Sequence, residues 1–377
     1  MVKSDHYRIT PLEMSVTVVS MLLAVGVLTL PRTLAEILET GDGWIAVLAS
    51  AGIVMGLVYL IVQLQKQYPN QTLFEYIGEK GLGRYISKIL SLLFILYFIP
   101  FLAYEARMLT IIVRMYLLDR TPPELTLAII LLTSVYAVSK GIQGIVHLNL
   151  MFLPFIVFIY FVLIIFNVEN MSINELLPVL PKGIPSLVQA LEPTIFSFLG
   201  IELLFFWMAY IKTSKLSAWP INLGIFFVSM LYFFIVTTSY LVLSVTGVKN
   251  TVFPTVALAK EVEIIEGLIE RFEPVMIVIW IMAIFNTMAI IHLLAVQTIK
   301  KEFAKRKVQA FIPAIVTFFS YMIAFIPNSI EEVFVLGNIV SYAGFALILL
   351  SLVIGYGTVW LRKRGKKNRQ KTGEIAK

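Results

Sequence analysis

The chain has 377 residues, of which 59% are hydrophobic and 14% charged, with a net charge of +7 at neutral pH. So apolar a composition, gathered in runs long enough to cross a bilayer, excludes an ordinary soluble domain and indicates a polytopic membrane protein. Cysteine is absent and His6, His147 and His292 show no ligand spacing, which excludes a disulfide framework, a thiolate nucleophile and a recognisable metal site.

Ten spans are predicted, at 11–37, 43–63, 84–117, 124–139, 145–167, 186–211, 219–245, 272–299, 309–326 and 336–361, followed by a basic tail over 362–377. The first lacks a small-residue cleavage site and runs into Pro31-Arg32, so it reads as a retained helix rather than a signal peptide. Within it, Thr29 can serve as an N-cap with Pro31 just inside a second half-helix, which places a break at Gly26 to Leu28. A continuous helix kinked at Pro31 fits the same spacing. After the second span, Thr72-Leu73-Phe74-Glu75 has capping-box spacing and Gly81 supplies a stop, which predicts a short cytoplasmic helix.

Along the third span Tyr97, Phe101, Tyr104, Glu105 and Met108 share one face, while Arg107 and Arg114 lie on another. Glu105 reads either as a site residue or as the partner of an arginine on a neighbouring helix. The sixth span contains Phe196-Ser197-Phe198-Leu199-Gly200-Ile201-Glu202, an aromatic run broken by glycine and followed by a carboxylate. Unwinding there would free backbone groups that hydrocarbon cannot satisfy, so such a turn must be buried in protein or line a polar cavity. A glycine for close helix packing beside a capping glutamate is the plainer alternative. Between the seventh and eighth spans, Leu258, Val262, Ile265 and Ile269 form an apolar stripe, which predicts an amphipathic outer helix, either a lid over a vestibule or a helix resting on the bilayer. The eighth span carries Asn286 and Thr287, able to hydrogen-bond across a bundle.

With both termini cytoplasmic, the inner loops collect most of the lysines and arginines and the outer loops most of the glutamates, so membrane topology accounts for the basic charge without nucleic acid. Divided five plus five, the interrupted spans become the first of each half, and an odd number of spans per half makes the halves inverted. The expected fold is therefore an all-α polytopic membrane protein with inverted repeats, interrupted helices one and six, and a midplane site.

The Phe196 to Glu202 stretch resembles the sixth-helix break of the amino acid–polyamine–organocation superfamily, whose fold is LeuT-like. More narrowly, Gly26-Val27-Leu28-Thr29-Leu30-Pro31-Arg32, Phe253-Pro254-Thr255 and Glu270-Arg271-Phe272-Glu273, with the order of spans, resemble the spore germination receptor B subunits, also called endospore germination permeases. That resemblance implies a subunit of the spore inner membrane that works beside an A subunit and a C lipoprotein and recognises a small germinant such as an amino acid, with no cofactor. It implies a pocket between the first and sixth breaks, walled by helices three and eight. Gly26, Val27, Leu28 and Thr29 would contribute from the first break and Phe198, Leu199, Gly200 and Ile201 from the sixth. Tyr97, Glu105 and Thr287 would reach in from the walls, and Glu202 would orient the unwound backbone or carry a proton. Free N–H groups at a half-helix N-terminus suit a ligand carboxylate, and free carbonyls at a half-helix C-terminus suit its ammonium. The fifth span offers His147 as its one basic side chain, where some proton-coupled relatives carry a basic residue, which weighs against proton-coupled transport. A working amino acid permease is the competing function, and enzyme chemistry is not expected, because paired carboxylates and nucleophile–base sets are lacking at recognisable spacing.

Overall fold

A computed structural model describes residues 7–79, 81–262 and 272–375. Helix α1 (Pro11–Leu22) opens with a capping box: the Thr10 hydroxyl accepts the Glu13 amide, the Glu13 carboxylate accepts the Thr10 amide, and Pro11 occupies the first turn, where no amide is needed. After three non-helical residues, α2 (Gly26–Leu38) continues at an angle of 53° to α1. Then come α3 (Gly43–Gln65), the short α4 (Leu73–Gly78), α5 (Gly83–Tyr116), α6 (Pro123–Ser139) and α7 (Gly141–Phe166). Helix α8 (Gly183–Phe196) leads through a 3-10 turn at Ile201–Leu203 into α9 (Leu204–Trp207), followed by α10 (Trp219–Asn250) and α11 (Pro254–Lys260). The chain ends with α12 (Glu273–Glu302), α13 (Ile312–Ala324) and α14 (Ile330–Ile375). Among the described residues there is no β-strand, only an isolated bridge between Ile9 and Ile211.

Among the described residues six helices, α3, α5, α7, α10, α12 and α14, are long and apolar enough to cross a membrane. Counting α1–α2 and the pair Gly183–Phe196 with Ile201–Tyr210, bent by 50°, as one span each gives eight. The shorter apolar helices α6 and α13 stand where the fourth and ninth spans are expected. The α10 helix packs along α1, α2 and α3, and α12 along α5, α6 and α7, so the first broken pair is enclosed by the bundle.

The predicted short helix between the second and third spans is α4, and Thr72 and Glu75 form its capping box, with the Glu75 carboxylate taking the Thr72 amide at 2.7 Å. Substituting Thr72→Ala is expected to lower stability by about 1 kcal/mol, read as an earlier thermal unfolding of the purified chain. The outer helix is present at its start as α11, where Leu258 and Val262 are buried; Ile265 and Ile269 lie outside the described residues. This part packs on α2, α10 and α12.

The two ends of the bundle are tied differently. At one end the Ile9 amide donates to the Tyr210 carbonyl (3.1 Å), Arg8 donates to Asn70 (2.9 Å), Lys301 pairs with Glu75 (2.7 Å) and Arg362 pairs with Glu79. Both described chain ends therefore meet there. At the other end Glu39, capping α2 in a left-handed conformation, takes Lys182 at 2.6 Å and Lys249 at 2.7 Å. Hydrogen bonds from these two ammonium groups hold its carboxyl down to about 2.

Candidate functional site

The first break lies at Leu23–Val25, three residues before the predicted one. Thr29 is not an N-cap: it sits inside α2, its hydroxyl turned back toward the Val25 carbonyl at 3.5 Å, and Pro31 is an interior residue of the same helix. Proline at 31 removes the amide that would bond the Val27 carbonyl. The Thr255 hydroxyl, from α11, donates to that carbonyl at 2.9 Å, so the helix runs through the proline without leaving an unpaired acceptor. Thr255→Val should therefore destabilise the chain by about 1–3 kcal/mol in thermal unfolding, whereas a Thr255→Ser variant, which keeps the donor, should lose much less.

The second break is centred on Gly200, whose φ of +126° is a conformation that side chains with a Cβ rarely adopt. Glu202 is fully buried and holds the turn from within: one carboxylate oxygen accepts the Gly200 amide at 2.8 Å, the other the Tyr97 hydroxyl at 2.8 Å. The two breaks abut. A Cβ on Gly200 would lie 2.7 Å from Met21 Cγ, and one on Gly26 would lie 3.3 Å from Ser197 Cβ. Tyr232, from α10, bridges them, its hydroxyl donating to the Leu22 carbonyl and lying 3.1 Å from that of Ser197. Thr287, from α12, reaches the end of α1 alone, with its hydroxyl 3.4 Å from the Ser20 carbonyl and 3.3 Å from that of Met21.

Against this junction lies a cavity of about 270 Å³, just under the usual size range of small-molecule pockets. Its floor is the paired breaks, represented by Met21, Val25 and Gly26 on one side and Ser197 and Leu199 on the other. Phe101, Tyr104 and Glu105 of α5 form one wall; Phe334, Gly337, Asn338 and Ser341 of α14 form another. It extends past Thr29 and Thr33 to Arg32 and Glu36, a partly exposed ion pair at 2.8 Å, and so reaches solvent toward the end of the bundle that carries Glu39.

Of the residues proposed from sequence, Gly26, Thr29, Glu105 and Leu199 line this cavity. Val27, Leu28, Tyr97, Phe198, Gly200, Ile201, Glu202 and Thr287 stand behind it: all the side chains among them are buried, and Phe198 packs on the Tyr232 ring at 5.2 Å. The expected wall from the eighth span is corrected: α12 supplies no lining residue, because Thr287 is turned onto the end of α1, and the tenth span, α14, takes its place. Two glycines bring α14 close. A Cβ on Gly337 would meet Tyr104 Cε2 at 2.6 Å, and one on Gly344 the Tyr97 hydroxyl at 2.6 Å. Their spacing of seven on an apolar helix is the one signal that pointed to this wall; Tyr232, alone in an apolar stretch, carried none. Glu105 is not an arginine's partner. Arg107 donates to the Pro327 carbonyl at 3.3 Å and lies over the Phe325 ring at 5.0 Å, away from the cavity.

The sequence profile described as spore germination protein matches residues 8–333. The chain belongs to the spore germination protein family. The family member YndE, a spore germination protein of Bacillus subtilis (strain 168), is 31% identical over 371 residues, covering 97% of this chain and 99% of its own length. Among solved structures, that of a substrate-bound, outward-open Na+-coupled sialic acid symporter matches with a TM-score of 0.68 at 12% identity, over 93% of this chain and 81% of that one. The structure of MhsT in complex with L-phenylalanine matches with a TM-score of 0.65 at 12% identity, over 93% and 88% of the two chains. These likenesses speak for the fold, which is that of the LeuT-like transporters. This spore germination protein is accordingly a multi-pass membrane protein with two broken helices at its centre.

Proposed function

We propose that the chain is the germinant-sensing subunit of a spore germination receptor, binding a small molecule, an amino acid by this reading, in the cavity between the two breaks. The observation that carries it is that cavity, floored by both broken helices and open at one end. The first amides of α2, at Gly26 and Val27, have no acceptor one turn back along their own helix and sit at the positive end of its dipole, which suits a ligand carboxylate. In this reading the ligand shifts an equilibrium between two arrangements of the broken helices, which requires that it bind one of them more tightly. An A subunit and a C lipoprotein then read the change, in the spore inner membrane, with both termini cytoplasmic and the five-plus-five halves inverted. The set on the cavity wall, hydroxyls and two carboxylates of which Glu36 is paired with Arg32, suits binding rather than enzyme chemistry.

The likeness in fold to symporters favours one second reading, an amino acid permease. Reconstitution of the purified chain in liposomes separates the two. Saturable amino acid binding without counterflow is expected of the sensor. Exchange of labelled amino acid across the bilayer would make the chain a transporter by mechanism.

A further inference from the structure

The carbonyls freed by the breaks are the obvious acceptors for a ligand ammonium, yet four of them already lie against two hydroxyls of the bundle. Thr287 lies on those of Ser20 and Met21, and Tyr232 on those of Leu22 and Ser197. What the cavity retains is Glu105. It is 3% exposed, it lies on the wall, and its Oε2 has no hydrogen-bond partner. Neither nearby arginine bonds to Glu105: Arg32 pairs with Glu36, and Arg107, outside the cavity lining, donates to the Pro327 carbonyl. A buried carboxylate left without a counter-charge is costly when ionised, and a ligand cation set against it removes that cost. Phe101 and Tyr104 line the same wall, and aromatic rings are compatible with a bound cation.

Building on the amino acid reading above, we propose that Glu105 is the subsite for the ligand's amino group, with the start of α2 holding the carboxylate. The site then selects molecules that carry a free ammonium beside an anion and discriminates against their neutral or N-blocked counterparts. The main-chain carbonyls of the first break serve as structural acceptors for Thr287 and Tyr232.

The test uses the full chain in lipid nanodiscs with L-alanine, L-valine and L-phenylalanine, each beside its N-acetyl derivative and its 2-hydroxy acid. Wild type should bind at least one free amino acid roughly tenfold or more tightly than both counterparts, which corresponds to about 1.4 kcal/mol. Glu105→Gln should erase that preference, and Glu105→Asp should keep it. The aspartate variant also stands in should the glutamine variant not fold. Full preference retained in Glu105→Gln, or lost in a well-folded Glu105→Asp as completely as in Glu105→Gln, would overturn the assignment. Should the wild type bind none of the amino acids but bind inosine or glucose, with Ser341→Trp on the cavity wall abolishing that binding, the ammonium subsite falls and the cavity stands. Amino acid binding untouched by Ser341→Trp would remove the cavity reading as well.

Discussion

Gly200→Leu is expected to destabilise the chain by about 2–6 kcal/mol and to abolish ligand binding. Two costs combine. The backbone at 200, with φ at +126°, is held where a residue with a Cβ is strained by roughly 1–3 kcal/mol. The added Cβ also lies 2.7 Å from Met21 Cγ, and overpacking of this kind costs about 1–3 kcal/mol more. Because Met21 stands on the other break, relief must come by parting the two broken helices, which is the geometry that floors the cavity. Gly200→Ala is the informative companion. It keeps the backbone strain and the first contact but not the bulk, so it should unfold later than the leucine variant. A leucine variant with wild-type unfolding and binding would show that the break is not held as described.

The second large effect is at Glu202. Removing its carboxylate in Glu202→Ala leaves the Tyr97 hydroxyl and the Gly200 amide buried without acceptors. Each unpaired group costs about 1–3 kcal/mol, so the variant should lose about 2–6 kcal/mol in denaturant or thermal unfolding. Glu202→Gln retains the volume and one acceptor oxygen and should lose roughly half as much. In a double-mutant cycle, Tyr97→Phe and Glu202→Gln should couple by about 0.5–3 kcal/mol, since the two side chains share a bond. Strict additivity would mean that Tyr97 is not held by Glu202 in the folded chain.

Sequence reasoning reached the second break because Gly200 and Glu202 are conspicuous in an apolar run, and a carboxylate there has few physical uses other than satisfying freed backbone. The first break was located three residues late for an equally physical reason. Pro31 is a local signal of interruption, but the Thr255 hydroxyl that repairs its missing bond comes from a part of the chain 228 residues away from Val27. Local spacing cannot show such a donor. The same distance effect hid the α14 wall and Tyr232. Serine, glycine and tyrosine scattered in long apolar helices look alike until the bundle decides which of them face inward. Glu105 was visible as a candidate, but its lack of a partner became visible only once Arg32 and Arg107 were seen engaged with Glu36 and Pro327.

The most direct test of the central claim, that a small molecule sits on the paired breaks, is equilibrium binding of labelled amino acids to the purified chain, comparing wild type with Ser341→Trp. Ser341 lines the cavity from α14, and its hydroxyl bonds to the Gly337 carbonyl of its own helix, so the substitution fills the cavity without removing a hydrogen bond at either break. Saturable binding in wild type, lost in Ser341→Trp with the unfolding temperature unchanged, is the predicted result. Binding of equal affinity in both proteins would place the ligand elsewhere and contradict the account.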